Sequence, residues 1–200
     1  MKKIIILGVI ISIISGCSLN SSTEGIKDEK TKPEMITIDK ISNKMITFHS
    51  MSDSMDRGNH EYSDKVFAID PTIDKKGISR GNIVLFKDKD GEKRITRIVA
   101  LPTETIHIQK GQIFVNDKKL DTFYGSMHRL GSTKEEYFKA MEKNNINHDK
   151  KGMIEFFDQD KKSTKLQETE FFTTGDDWLR SDQKIINEND IIGLVLGYKN

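Results

Sequence analysis

The chain has 200 residues, enough for one domain of ordinary size once a leader is set aside. Its 32 basic and 31 acidic residues leave a net charge of +1, so nothing points to nucleic acid or a strongly charged partner. Cys17 is the single cysteine, so a domain folded outside the cell would rest on its core and not on disulfides.

The N-terminus reads as a lipoprotein leader. Met1, Lys2 and Lys3 form a basic start, and residues 4–14 are apolar apart from Gly8 and Ser12. That run has the size of a signal-peptide core and is too short to span a bilayer as a helix. Ile14-Ser15-Gly16-Cys17 follows, a lipobox that resembles the site where the lipoprotein export pathway attaches diacylglycerol to a thiol and cleaves before it. The thiolate is the nucleophile toward the lipid, and small residues at the two preceding positions fit a narrow cleft. Residues 1–16 are therefore expected to be removed. Cys17 is expected to hold the mature chain on the extracytoplasmic face of the cell membrane by lipid. Two or three acyl chains, at about 0.8 kcal/mol per buried methylene, make a stable anchor where one would be marginal. Residues 18–33 are polar almost throughout and predict a flexible tether within a lipidated segment 17–34, with the folded domain over 35–200.

Residues 35–38, 45–48, 65–69, 82–86 and 93–101 are β-prone. Asp88-Lys89-Asp90-Gly91 joins the last two, and the Asp-Gly pair suits a tight hairpin. Residues 105–108 and 112–115 flank Gln109-Lys110-Gly111, and Asn116-Asp117 opens another turn, so residues 83–120 read as an antiparallel meander. Ser132 with Glu135, and Thr133 with Glu136, both fit a capping box. Tyr137, Phe138 and Met141 then form a narrow apolar stripe, which predicts a short helix over 132–143. Residues 144–152 read as a loop, residues 153–157, 164–167 and 170–173 as strands, and residues 191–197 as the closing strand. The expected fold is mainly β, with antiparallel strands and one short helical insertion. The five histidines lack metal-ligand spacing, so no metal and no cofactor are expected.

Four stretches carry more than secondary structure. They are Gly77-Ile78-Ser79-Arg80-Gly81-Asn82-Ile83-Val84-Leu85-Phe86, then residues 97–106 beginning Arg97-Ile98-Val99-Ala100-Leu101-Pro102, then residues 111–120 beginning Gly111-Gln112-Ile113-Phe114-Val115-Asn116, and finally Thr174-Gly175-Asp176-Asp177 with Ser181, trailed by Ile191-Ile192-Gly193. In order and spacing they resemble the motifs of bacterial type I signal peptidases, over about residues 45–197.

The resemblance implies a signal-peptidase-type β domain on the outer membrane surface, and a serine endopeptidase that processes signal peptides with a lysine as general base. In Ser52-Asp53-Ser54-Met55-Asp56-Arg57-Gly58, Ser54 matches the nucleophile and Ser52 the hydroxyl often supplied to the oxyanion hole. Arg57-Gly58 stands where the family has Pro-Thr. Gly175, Asp176 and Ser181 match the motif that orients the lysine and supports the strands around it. The lysine position itself is Thr96. A threonine hydroxyl cannot take a proton from serine at neutral pH, whereas a buried lysine can, because desolvation lowers its pKa. Lys93 is the nearest lysine on the same run, an odd number of residues away, and so belongs on the opposite face of a regular strand. Beside a structural lipoprotein with no groove function, two functions stay open. One is a membrane-surface serine endopeptidase of the signal peptidase I type, impaired at its base. The other is a non-catalytic lipoprotein that binds extended peptides, a secretory precursor or a membrane partner by strand addition.

Overall fold

A computed structural model describes residues 24–199, so the lipobox and Cys17 lie outside the described residues. The apolar runs become strands where the sequence places most of them. β1 is Ile26–Lys27, β2 Ile46–Ser50, β3 Lys65–Asp70, β4 Ile83–Lys87, β5 Lys93–Ala100, β6 Thr105–Gln109, β7 Gln112–Val115 and β8 Lys118–Asp121. After two helices come β9 Lys161–Lys165, β10 Glu170–Thr174, β11 Lys184–Asn187 and β12 Ile191–Lys199. Strand outweighs helix, 38% against 14%, which is the mainly β fold expected.

The strands form two sheets. The larger has seven strands in the order β11-β10-β5-β4-β12-β3-β2, and the smaller five in the order β1-β8-β7-β6-β9. Every pairing is antiparallel except β1 with β8. β5 is buried from Ile95 to Ala100 because it is covered on both sides. Ile95 packs with Met55, Phe67, Ile69 and Leu85, while Ile98 packs with Val84, Phe86, Phe171 and Ile186. Val99 and Ala100 enter the core under the smaller sheet, beside Ile106, Ile113, Phe157 and Phe172. Burial on both sides explains why the strand ends in the unbroken apolar run Ile98-Val99-Ala100, and it encloses the polar Thr96 and Arg97 as well. The β4–β5 hairpin closes as its Asp-Gly pair suggests: Gly91 N donates to Asp88 O at 2.8 Å, and Gly91 has φ +89°.

Three expectations need correction. First, the insertion holds two helices. α1, Lys134–Lys143, starts on Thr133, whose hydroxyl accepts from Glu136 N in a capping box. α2, Lys150–Phe157, takes up residues expected as loop and strand. Asp149 caps it, and its Oδ1 accepts from Gly152 N at 3.0 Å. Met153, Phe156 and Phe157 fit a helical period, and so short an apolar run does not separate strand from helix. Second, residues 35–38 form no named strand. Thr37 makes a lone bridge with Tyr198, held by Ile38 N to Tyr198 O at 2.8 Å and Tyr198 N to Ile36 O at 3.1 Å. Third, from residue 24 onward the stretch read as a flexible tether is a strap. Ile26 pairs with Leu120 and packs on the core under the smaller sheet, and Met35 packs on the core beneath β3. A few apolar anchors in a polar stretch are enough to fix it. Among the described residues, no helix is long and apolar enough to cross a membrane.

Candidate active site

Beyond β2 the chain steps down through hydroxyls. Ser50 Oγ accepts from Ser52 N at 3.2 Å, and Ser52 Oγ accepts from Ser54 N at 3.1 Å. These short side-chain turns replace ladder bonds as the strand ends. Met55, fully buried, pins the next position into the core. Asp56 then closes the turn: its Oδ1 accepts from Gly58 N at 2.9 Å and His60 N at 2.8 Å, and its Oδ2 from Arg180 Nη1 at 3.0 Å. Burial pushes the Asp56 carboxyl up, but the two amides and the charges of His60 and Arg180 outweigh it and hold it below its usual range. A buried carboxylate thus shapes the turn that Pro-Thr would shape in the family pattern.

The C-terminal motif supports this turn from below. Arg97 forks onto Asp176, Nε to Oδ1 and Nη2 to Oδ2, both at 2.7 Å, and its Nη1 donates to Gly81 O at 2.8 Å. Arg97 is 1% exposed and Asp176 3%. The paired ends satisfy each other's charge, which burial requires. Gly175 N donates to Ser181 Oγ at 3.1 Å, and Asp177 N donates to Ser54 O at 3.0 Å. A Cβ on Gly175 would collide with the Ser54 carbonyl and the Ser181 side chain, so glycine is needed for the approach. Asp177 is buried, paired with Arg129, and its Oδ1 accepts from Leu179 N at 3.0 Å.

Ser52, Ser54, Thr96 and Ser181 come together in one cleft of about 690 Å³. It lies between the end of β2, the start of β5, and the β10–β11 connection. Ser50 and Thr173 bring the hydroxyls lining it to six, and Phe48, Met51 and Leu179 add apolar surface. Gly175 and Asp176 support the cleft and are not among its lining residues. Thr173, Arg180, Lys184 and His49 also line it. Thr173 and Lys184 are brought there by the pairing of β10 with β11, His49 by that of β2 with β3, and Arg180 by the β10–β11 connection.

Among the described residues, no amino group hydrogen-bonds Ser54, and no side chain hydrogen-bonds its hydroxyl. The lysines lining the cleft are Lys93 and Lys184. β4 pairs with β5 without a register slip from Lys87↔Lys93 to Ile83↔Arg97, so alternation sets Lys93 and Thr96 on opposite faces of the strand; Lys93 lines the cleft from the exposed start of β5, and its amino group makes no hydrogen bond to Ser54. Lys184 is bound by Asp88 and by Asp182, the latter at 3.1 Å. Burial lowers the pKa of its amino group, but the two carboxylates win and raise it, so it stays protonated. An imidazole lies at the rim: His49 Nε2 is 2.6 Å from Asp64 Oδ1, and this side chain is half exposed.

Residues 4–195 match the family model described as signal peptidase, peptidase S26. No curated protein matches the sequence. Among solved structures, a signal peptidase I from Enterococcus faecalis V583 aligns at 20% identity with a TM-score of 0.39, over 59% of this chain and 96% of that one.

Proposed function

The chain belongs to the signal peptidase family, peptidase S26, and from that premise we propose that it is a lipid-anchored receptor for extended peptides at the outer face of the cell membrane. One observation carries the reading: six hydroxyl side chains line the cleft with Ser54 among them, and the position of the family's lysine is Thr96. Without a base, Ser54 has no route to a nucleophilic alkoxide at neutral pH. Hydroxyls both donate and accept, which suits the alternating N–H and C=O groups of an extended chain. β2 is an edge strand whose end lines the cleft, so a peptide can add to it as a further strand. The cavity falls within the range of ligand sites, about 300–1,000 Å³. Lipid on Cys17 would keep the cleft where secretory precursors emerge.

The rival reading is a signal-peptidase-type serine endopeptidase. Ser54 would attack the scissile carbonyl, with Ser52 or backbone amides holding the oxyanion. The His49–Asp64 pair at the rim favours it, as the one imidazole lining the cleft.

The test incubates the full chain, in lipid vesicles, with a secretory precursor. Wild type and Ser54→Ala are expected to bind it equally and cleave nothing, while Thr96→Lys is expected to gain slow cleavage. Cleavage by wild type that Ser54→Ala abolishes would sink the receptor reading. Loss of that cleavage in His49→Ala would then name the base.

A further inference from the structure

The strap contacts groups that support the cleft. Tyr124 Oη donates to Asp28 Oδ2 at 2.6 Å, while Asp28 Oδ1 accepts from Lys30 N at 3.2 Å and Thr31 N at 3.1 Å. The strap lies so close over Gly81 that a Cβ there would clash with the Thr31 hydroxyl and come within 2.7 Å of Asp28 Oδ2. Gly81 is the residue whose carbonyl receives Arg97 Nη1. Tyr124 is buried, and its ring lies 5.6 Å from the Arg97 guanidinium carbon. The neighbouring Phe123 ring is held between two cations, Arg97 at 4.9 Å and Arg57 at 5.0 Å.

Both arginines lead to Ser54. Arg97 grips Asp176, whose neighbour Asp177 donates its amide to the Ser54 carbonyl. Arg57 sits in the turn that Asp56 closes, three residues beyond the serine. The strap therefore clasps residues 123 and 124, and those two aromatics bear on both supports of the cleft.

On the reading of the cleft as a peptide-binding site, we propose that Asp28 is a positioning residue for it: through Tyr124, docking of the N-terminal strap becomes a condition for firm peptide binding. The strap adjoins the segment that carries Cys17, so the clasp couples the membrane-proximal end of the chain to the site. A contiguous contact path is no measure of coupling, which must be read directly. Burial and the adjacent Asp28 carboxylate push the Tyr124 hydroxyl well above its ordinary pKa, and Asp28 is held below its own. The phenol thus stays the donor and the carboxylate the acceptor throughout the physiological range.

The experiment uses the full chain as wild type, Tyr124→Phe and Asp28→Asn. A synthetic signal peptide with its cleavage region is titrated in, and amide hydrogen exchange is followed in parallel. Tyr124→Phe keeps both ring contacts with the arginines and removes only the hydroxyl. It is expected to weaken peptide binding about five- to tenfold and to speed exchange at the Asp177 and Gly175 amides. The paired amides of β6 and β7 should keep wild-type protection, which a general loss of stability would not allow. Wild-type affinity with wild-type protection at Asp177 would overturn the clasp. Should Tyr124→Phe unfold, Asp28→Asn on the half-buried strap decides by the same two readouts. Should wild type bind no peptide, the receptor reading falls, and exchange at Asp177 still decides whether the strap holds the cleft.

Discussion

At the scale of single residues, the site rests on charges that cannot be moved separately. Arg97 and Asp176 are both almost wholly buried; they fork onto each other, and Arg97 also donates to Gly81 O. Removing one partner strands a charge in the interior, at a cost of about 3–5 kcal/mol. Asp176→Ala is thus expected to lower the urea midpoint strongly. Asp182→Ala, which removes an exposed carboxylate beside Lys184, should change stability little, by well under about 1 kcal/mol. Equal midpoints for the two variants would remove the support assigned to the buried pair. His128 gives the fold a pH dependence. Burial pushes its imidazole below its ordinary pKa, and the Arg57 charge acts the same way against the Ser126 carbonyl. The unfolded chain therefore takes up this proton first, near its ordinary value of 6.5. The contribution is complete above that pH and is lost as pH falls below it. Denaturation curves between pH 7.5 and 5 should fall in wild type and flatten in His128→Gln; parallel slopes would deny His128 that role.

At the scale of elements, what could be read from sequence followed what is local. The β4–β5 hairpin, with Asp-Gly at its turn, and the Thr133–Glu136 capping box are written within a few residues, and both form as expected. α2 was hidden because its apolar positions satisfy two periods at once and its cap, Asp149, lies in a polar run that looks like loop. The strap was hidden because composition averages over Ile26 and Met35, the anchors that fix it. The same division runs through the cleft. Ser52, Ser54, Thr96 and Ser181 were legible because each stands in a motif of fixed spacing, and the fold gathers them. Thr173 and Lys184 were not, since they face each other through the pairing of β10 with β11, a contact no local pattern announces. With Thr96 at the lysine position, the nearest lysine on the strand is Lys93, expected on the opposite face. The β4–β5 register is unbroken there, and Lys93 lines the cleft from the exposed start of β5. The slip in β5 lies instead on its β10 side, between the pairs Phe172↔Ala100 and Thr173↔Ile98, beyond Thr96.

At the scale of the whole molecule, the strap changes what an anchor at Cys17 would do. A free tether from residue 18 to residue 33 would let the domain wander several nanometres from the bilayer. With the chain docked from residue 24, only residues 18–23 separate Cys17 from the domain, a reach of at most ~25 Å even when fully extended. The β1–β8 edge of the smaller sheet would then be the end of the molecule held nearest the lipid, since β1 begins two residues past that gap. Cells expressing the chain should incorporate labelled fatty acid into it and hold it in the membrane fraction, while Cys17→Ser loses the label and the membrane retention together. A thiol-reactive fluorophore on an added cysteine at Lys118, in β8, is then expected to transfer energy to a bilayer acceptor more efficiently than one at Lys65, at the start of β3 in the larger sheet. Label incorporation unchanged by Cys17→Ser would overturn the lipid anchor. Intact labelling with equal transfer from both positions would leave the anchor and overturn the short leash, because a domain on a long tether presents all its faces to the bilayer alike.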